Sequence, residues 1–339
     1  MVYRLQQLHE EGVPSLLAGI ATEQQWQRKR ESIRRVWLDY VGEQPERLPI
    51  RYEVLSETEL ADHVRMHIRY ETANADTVTA FLLMPRDRGA APLPAVLALH
   101  PTDEKGKEDV ATAQGRDNRR YALELAQRGY IVLAPDTIAA GERISSPEAY
   151  FTADFYARNP GWTAVGKMVI DHQYGIDLLC DLAEVDSERI GAIGHSLGGY
   201  NSFFLAAADS RIRAYVSSCG FSTFAGDPEP ERWGQRDWFS HIPRLSADLG
   251  KGEVPFEFHE IAALAAPTPA FYYSGQQDTI FPHWQSYSQG MAQLFELYTF
   301  LGKGDCFQYT MTNGEHDFPG EIRQMAYAFL DRHLQKEQA

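Results

Sequence analysis

The sequence predicts an α/β fold in which a mostly parallel sheet is covered by helices on both faces. From about residue 93 onward, short continuous apolar runs alternate with amphipathic segments. Fully apolar strands are typical of parallel sheets whose two faces are both buried. The chain has 339 residues, of which 44% are hydrophobic, so it is long enough to bury a large core.

Residues 1–50 are predicted to form a helical extension. Thr22 and Gln25 match a capping box, and Gly42 is placed to end the helix. Apolar residues recur at helical spacing between them, which predicts one buried face: Trp26, Ile33, Trp37 and Val41. Packing on the main domain is the favoured interpretation. A dimer arm or a wall of the active site is the alternative.

Residues 51–337 are predicted to form the main domain. Segment 51–84 contains two alternating runs, which indicate antiparallel strands that open the sheet. The later apolar runs predict six further strands: PAVLALH, YIVLAPD, RIGAIGHS, IRAYVSSCG, TPAFYYSG and FQYTMTNG. Helices are predicted between and after these strands, over RRYALELAQRG, MVIDHQYGIDLLCDLA, NSFFLAAA, the segment between the last two strands, and EIRQMAYAFLDRHL.

Two aromatic segments, 138–166 and 221–262, interrupt this rhythm and are interpreted as lid or loop insertions. Connections of this length inside a compact domain are usually functional, and their aromatic content argues against disorder. Three tryptophans in them are candidates for the substrate pocket: Trp162, Trp233 and Trp238.

The strongest chemical signal is Gly194-His195-Ser196-Leu197-Gly198, between a predicted strand and a predicted helix. A sharp strand-to-helix turn exposes a serine hydroxyl as a nucleophile, and its tight geometry requires small residues two positions before and after the serine. The alternative is a glycine-rich turn with an incidental serine. The strand–turn–helix context favours Ser196 as the nucleophile.

A nucleophile of this kind predicts an acid and then a histidine further along the chain. Asp278 follows the strand TPAFYYSG, and His316 follows the strand FQYTMTNG, so both should lie at the carboxyl edge of the sheet. His316 is predicted to act as the general base, oriented by Asp278. Asp317 and Asp305 are rival acids; Asp317 adjoins the histidine and Asp305 precedes the strand.

The oxyanion of an acyl-transfer reaction needs two hydrogen-bond donors. The N–H of Leu197 is one by position, and the second should follow the strand PAVLALH. Pro101 has no N–H, so Thr102 is the best candidate and Asp103 the next. His100 is interpreted as a structural turn residue.

Composition and charge limit the partners, metal sites and location that the sequence supports. The formal net charge of -15 argues against a nucleic-acid partner and disfavours anionic membranes. Three cysteines without paired spacing predict no disulfide framework and no zinc or redox site. His259-Glu260 fails the H-E-x-x-H pattern. No signal peptide or apolar run of spanning length is seen, so a cytoplasmic location is expected.

At 194–199 (GHSLGG), 274–282 (SGQQDTIFP) and 314–319 (GEHDFP), the sequence resembles the dienelactone hydrolase and acetyl xylan esterase-like branch of the α/β-hydrolases. LAPD at 133–136 and HEIAALAAPTP at 259–269 are softer matches, and the resemblance covers roughly 90–335. It implies the α/β-hydrolase fold, Ser196, Asp278 and His316 as the triad, and ester or lactone hydrolysis without a cofactor.

The sequence departs from that branch in two ways. Many relatives have His-Gly where this chain has His100-Pro101, which puts the second oxyanion donor in question. Dienelactone hydrolases proper use cysteine as the nucleophile, so a dienelactone is a less favoured substrate than another ester.

The leading functional hypothesis is a serine carboxylic ester hydrolase acting on a small or medium ester, with a sugar acetyl ester as one candidate. A peptidase or a carbon–carbon bond hydrolase on the same triad is the second hypothesis. A non-catalytic binding module is the third, since a fold alone never proves activity. The acyl and alcohol groups are not specified by the sequence, and a homodimer is left open.

Overall fold

The computed structural model describes residues 2–42, 45–87 and 89–335, so residues 336–337 of the predicted main domain lie outside it. Its strands are β1 (Tyr3–Arg4), β2 (Tyr52–Glu59), β3 (His63–Thr72), β4 (Asp76–Pro85), β5 (Leu93–Leu99), β6 (Ile131–Pro135), β7 (Val185–His195), β8 (Ile212–Ser218), β9 (Glu253–Val254), β10 (Ala270–Gly275) and β11 (Phe307–Thr312). Its α-helices are α1 (Leu5–Glu11), α2 (Glu23–Val41), α3 (Glu108–Ala111), α4 (Tyr121–Gln127), α5 (Ala153–Arg158), α6 (Ala164–Asp181), α7 (Leu197–Ala208), α8 (Leu245–Leu249), α9 (Phe258–Ala263), α10 (Trp284–Phe300) and α11 (Gly320–Leu334).

Nine strands of the described chain form the main sheet, in the order β11-β10-β8-β7-β5-β6-β4-β3-β2. From β6 to β11 every neighbouring pair is parallel, whereas β2, β3, β4 and β6 pair antiparallel. This confirms the predicted sheet. The chain runs outward from β5 to β6 and then returns to β7 on the other side. Ligands of open α/β sheets bind beyond the carboxyl ends of the strands at such a reversal.

The core has two layers because successive side chains of a strand point to opposite faces. Leu97 and Leu133 belong to the layer that contains residues of α2, α6, α7 and α10. Val96 and Val132, each one residue away, belong to the layer that contains residues of α4 and α11. Helices therefore cover both faces of the sheet, as the continuous apolar runs predict.

Helix α2 packs on the main domain. Its predicted cap is confirmed, because the Thr22 hydroxyl accepts from the Gln25 amide at 3.3 Å and the Gln25 side chain accepts from the Thr22 amide at 3.0 Å. The Trp37 ring lies 4.8 Å from that of Phe204 and 5.3 Å from that of Phe256. These contacts place α2 against α7 and the 221–262 insertion.

The two insertions pack against each other. The Thr152 amide donates to the Trp238 carbonyl at 3.2 Å, and the Tyr156 hydroxyl donates to the Ser240 carbonyl at 3.0 Å. The rings of Tyr150 and Phe239 are 5.1 Å apart. Segment 138–166 thus supports segment 221–262. No helix within the described ranges has the length and apolar character that a bilayer crossing requires.

Three buried histidines predict a loss of stability in acid. Burial lowers the pKa of His172 and His241 to about 3 and that of His259 to about 4. Unfolded histidine titrates near 6.5, so below this pH the unfolded chain binds more protons than the folded chain. These three histidines should therefore lower the free energy of unfolding as the pH drops from about 6.5 towards 4, whereas Glu257, whose pKa burial raises to about 8, contributes in the opposite direction. Linkage gives about 2 kcal/mol per histidine at pH 5.

Urea unfolding at pH 7 and pH 5 measures this loss. His172→Leu removes one buried titrating ring and should shrink the difference between the two pH values by about 2 kcal/mol. His9→Gln, at an exposed position of α1, is the matched control and should leave the difference at the wild-type value. An unchanged difference in the His172→Leu variant would contradict the explanation.

Candidate active site

Ser196 occupies a strained turn between β7 and α7. Its backbone has φ 55° and ψ -117°, in the left-handed region that side chains rarely adopt. The turn is tight because a Cβ on Gly198 would lie 1.8 Å from the Leu99 carbonyl oxygen, and one on Gly194 would lie 2.2 Å from the Gly198 carbonyl carbon. Both glycines are therefore sterically required at this strand-to-helix turn, which we call the elbow.

Asp278 and His316 are joined directly. The Asp278 Oδ2 and His316 Nδ1 atoms are 2.7 Å apart. The other carboxylate oxygen, Oδ1, accepts from the amides of Ile280 at 2.8 Å and Phe281 at 2.9 Å. The carboxylate is buried and fixed by these two donors, so it holds the imidazole with Nδ1 facing the acid. Ser196 and His316 line the same cavity.

The rival acids lie in other surroundings. The Asp317 carboxylate accepts from the side chains of Asn118 and Arg119, and Arg119 also donates to the His316 carbonyl at 3.4 Å. Asp317 therefore anchors the histidine loop. Asp305 lies in a short 3₁₀ turn that precedes β11, at the amino end of that strand.

A contact from segment 138–166 decides between the two candidates for the second oxyanion donor. The Asp103 amide donates to the Tyr150 hydroxyl at 3.0 Å, so that amide is engaged. Thr102 lines the cavity and is exposed to it. The amide of Leu197 is the first of α7, where helix N–H groups point out of the helix end. Thr102 and Leu197 are thus the two candidate donors.

His100 is structural, as expected from the sequence. Its Nε2 accepts from the Thr137 amide at 3.0 Å, and its Nδ1 then carries the proton that it donates to the Pro101 carbonyl at 2.7 Å. Burial lowers the pKa of this histidine, which keeps the ring neutral. The ring therefore fixes the turn that carries Thr102.

Cys219 lies beside Asp278 and His316. Its backbone has φ 44°, and its Sγ, an Asp278 oxygen and a His316 ring nitrogen all lie within 4.8 Å of one another. Burial raises the pKa of the Cys219 thiol, so it stays protonated and is a poor metal ligand. The Asp278–His316 bond also uses the ring nitrogen that faces the acid.

A cavity of about 380 Å³ opens above Ser196. The sheet edge and the neighbouring loops contribute Pro101, Thr102, Arg116, Arg119, His195, Ser196, Tyr200, Ile280, Phe281 and His316. Segment 221–262 contributes Glu229, Arg232, Trp233, Arg236, Trp238, Phe239 and His241. Trp233 is buried in its wall, and Trp238 is 42% exposed.

Trp162 does not line the cavity, so this prediction was wrong. The sequence suggested it as a pocket residue, but the structure places it beside Gly42 at the end of α2, where the two residues form an antiparallel bridge. Its indole is buried in the core layer that contains α2. Within the described chain, segment 138–166 lends no residue to the cavity lining, because it lies behind segment 221–262.

Among the polar residues of the cavity that were not predicted from the sequence, Tyr200 and His241 form a bonded pair. The Tyr200 hydroxyl and His241 Nε2 are 2.6 Å apart, and the rings of Tyr200 and Trp233 both contact the His241 ring. Tyr200 follows Ser196 by one helical turn, which is a signal that places it on the cavity side of α7. His241 comes from the insertion, so only the folded chain brings the pair together.

Comparisons with known proteins agree with this architecture. YtaP of Bacillus subtilis (strain 168) is 25% identical over 300 residues, which cover 87% of this chain and 96% of YtaP. A Saccharomyces cerevisiae (strain S288c) protein, whose name refers to carboxymethylenebutenolidase, is 29% identical over 40% of this chain and 48% of its own length. The solved glucuronoyl esterase from Solibacter usitatus shares the fold with a TM-score of 0.71, at 19% identity over 95% of this chain and 97% of that chain.

A family model also matches most of the chain. It is the model of the Abhydrolase family, and it matches residues 16–288. This range contains the elbow at Ser196, the acid at Asp278 and most of the sheet. The match confirms the resemblance to the α/β-hydrolases, and the chain therefore belongs to the Abhydrolase family.

Proposed function

We propose that this protein hydrolyses carboxylic esters through a covalent acyl-enzyme formed on Ser196. One observation carries the proposal: the 2.7 Å bond between Asp278 and His316 lies beside a cavity that His316 and the strained Ser196 line together. Membership of the Abhydrolase family supports it. No cofactor is assigned a role in this reaction.

In the first half-reaction, His316 takes the proton of the Ser196 hydroxyl while the oxygen attacks the ester carbonyl carbon. The carbonyl oxygen becomes an oxyanion, which the amides of Leu197 and Thr102 stabilise. Asp278 stabilises the imidazolium and keeps the ring oriented. The carbon–oxygen bond to the leaving group then breaks, and His316 gives its proton to the alkoxide, which leaves as an alcohol.

In the second half-reaction, water replaces the alcohol. His316 removes a proton from the water while its oxygen attacks the acyl carbon of the acyl-Ser196 intermediate. The bond to the Ser196 oxygen breaks, and that oxygen recovers its proton from His316. The products are a carboxylic acid and the free enzyme.

The size and lining of the cavity favour a small or medium ester. Its volume of about 380 Å³ falls near the lower end of the range for small-molecule pockets. Trp233 and Trp238 offer ring faces on which a sugar or an aromatic group can stack. A sugar ester, such as an acetylated sugar, is therefore one candidate substrate. The structural neighbour from Solibacter usitatus is named a glucuronoyl esterase.

Labelling with a fluorophosphonate tests the nucleophile. The probe should form one adduct, and peptide mapping should locate it on Ser196. Ser196→Ala should abolish the label, while Ser210→Ala, at an exposed position after α7, should retain it. A label on another residue, or no label together with no ester turnover, would refute the proposal.

A substrate panel tests the reaction class. Acetylated sugars and simple aryl esters should be hydrolysed, with turnover that fluorophosphonate blocks. Cleavage of short peptides or of vinylogous diketones without ester turnover would instead favour a peptidase or a carbon–carbon bond hydrolase on the same triad.

A further inference from the structure

The cavity above Ser196 collects positive charge in an acidic protein. The chain has a formal net charge of -15, yet four arginines and one carboxylate line this cavity: Arg116, Arg119, Arg232, Arg236 and Glu229. Such a concentration of one sign in a concave site attracts ligands of the opposite sign. A ligand can pair only with those charges that have no carboxylate partner within the protein.

Three of the four arginines have carboxylate partners. Arg116 pairs with Asp109 at 2.6 Å and Asp103 at 3.0 Å, Arg119 pairs with Asp317, and Arg232 pairs with Asp227 at 3.1 Å. Glu229 lies 3.5 Å from Arg232. These charges are compensated within the protein, and their guanidinium groups are held in place by the partners.

Arg236 differs from them. Within the described ranges no carboxylate lies within 4.0 Å of its guanidinium, and Glu229 acts on it only as a more distant charge. Its Nε donates to the Phe239 carbonyl at 3.0 Å, and its guanidinium carbon lies 5.6 Å from the centre of the Trp238 ring. Burial lowers the pKa of Arg236, which reflects a desolvated charge without a partner.

The side chain is also positioned for a ligand. The bond to Phe239 and the contact with Trp238 fix the plane of the guanidinium, while the two terminal nitrogens carry four further N–H groups. A planar guanidinium with two free terminal nitrogens matches a carboxylate or phosphate group in a bidentate geometry.

We propose that Arg236 is a specificity-determining residue that binds an anionic oxygen group, a carboxylate or a phosphate, on the ester substrate. The inference rests on the proposed esterase function and deepens it, because it assigns the substrate class as esters that keep a negative charge beside the ester bond. Arg236 acts in binding and takes no part in the proton transfers of His316.

Matched esters place the charge on either side of the scissile bond. On the acyl side, the p-nitrophenyl monoesters of succinic acid and of 3-phosphonopropionic acid are compared with p-nitrophenyl butyrate. On the alcohol side, 4-acetoxybenzoate is compared with 4-acetoxybenzamide. The measured quantity is the ratio of kcat/KM for each charged ester to that of its neutral partner, at low ionic strength and at 0.5 M salt.

Wild-type protein should prefer a charged ester on at least one side by about tenfold, which is typical of a charge-assisted hydrogen bond. The carboxylate and phosphonate esters show which anion fits. Arg236→Gln should lower that ratio about tenfold, and Arg236→Lys should keep part of it, because lysine keeps the charge and loses the fork. Arg28→Gln removes one positive charge at an exposed position of α2 outside the cavity lining, and it should leave the ratio at its wild-type value.

Three outcomes separate the proposals. A ratio that falls in Arg236→Gln and stays constant in Arg28→Gln supports the assignment. Two results overturn the assignment of Arg236: a charged-to-neutral ratio near one in wild-type protein, or a preference for charged esters that Arg236→Gln leaves intact. In both cases, ester turnover would still support the proposed esterase function. An absence of turnover for every ester, with no fluorophosphonate label on Ser196, defeats the proposed function itself.

Discussion

Replacing Ser196 with alanine is expected to lower kcat/KM for esters by about 10⁴-fold or more. The change removes the hydroxyl that attacks the carbonyl carbon and leaves the remaining triad without a nucleophile. Binding and the oxyanion donors then supply only residual catalysis over water. The test is the initial rate with a p-nitrophenyl ester, measured at an enzyme concentration high enough to detect the residual activity.

The fold should survive this substitution. Alanine has the same Cβ as serine, so the strained backbone at φ 55° meets no new contact. We expect the thermal midpoint of Ser196→Ala to stay near the wild-type value, and Ser210→Ala to match wild type in both stability and rate. Activity of Ser196→Ala within tenfold of wild type, in folded protein, would show that another group is the nucleophile.

Asp278→Asn is expected to lower kcat by about 10⁴-fold, although the fold around it is retained. The amides of Ile280 and Phe281 require an oxygen acceptor at the Oδ1 position, so the new amide must place its oxygen there. Its NH₂ group then faces Nδ1 of His316 and can only donate to it. This selects the ring tautomer with the proton on Nε2, which cannot take a proton from Ser196.

Asp317→Asn is the matched control. Asp317 is the residue that follows His316, and its carboxylate binds Arg119 and Asn118 instead of the imidazole. The variant removes a charge next to the catalytic loop without altering the tautomer, so kcat should fall far less than in Asp278→Asn. Equal losses in the two variants would mean that Asp278 does not act through the histidine.

Much of the fold was predictable because its signals are local. A capping box needs only Thr22 and Gln25, which are three residues apart, and the structure forms both of its bonds. The apolar runs of β5 and β6 are buried on both faces, which is the environment that a continuous hydrophobic strand requires. The short loops between these elements leave few alternative topologies.

The contacts between distant segments were not predictable in the same way. Trp162 lies within an aromatic insertion, and its sequence context is no different from that of Trp233. The structure separates the two because Trp162 meets the end of α2, whereas Trp233 meets Tyr200 in the cavity wall. Which surface an aromatic side chain covers depends on partners that are far away along the chain.

The sequence alone determined that Ser196 stands in a tight strand-to-helix turn and that Asp278 and His316 follow parallel strands at one edge of the sheet. It did so because that turn requires glycines around the serine and because parallel strands end at the same edge. These three residues are the candidate nucleophile, acid and base. The tertiary structure decided which hydrogen-bond and charge partners surround these three residues. It bonds the Asp103 amide to the Tyr150 hydroxyl, which leaves Thr102 as the candidate oxyanion donor. It also pairs three cavity arginines with carboxylates, whereas among the described residues Arg236 has no carboxylate within 4.0 Å. Hydrogen-bond and charge partners are set by distances in space, and no spacing along the chain encodes them.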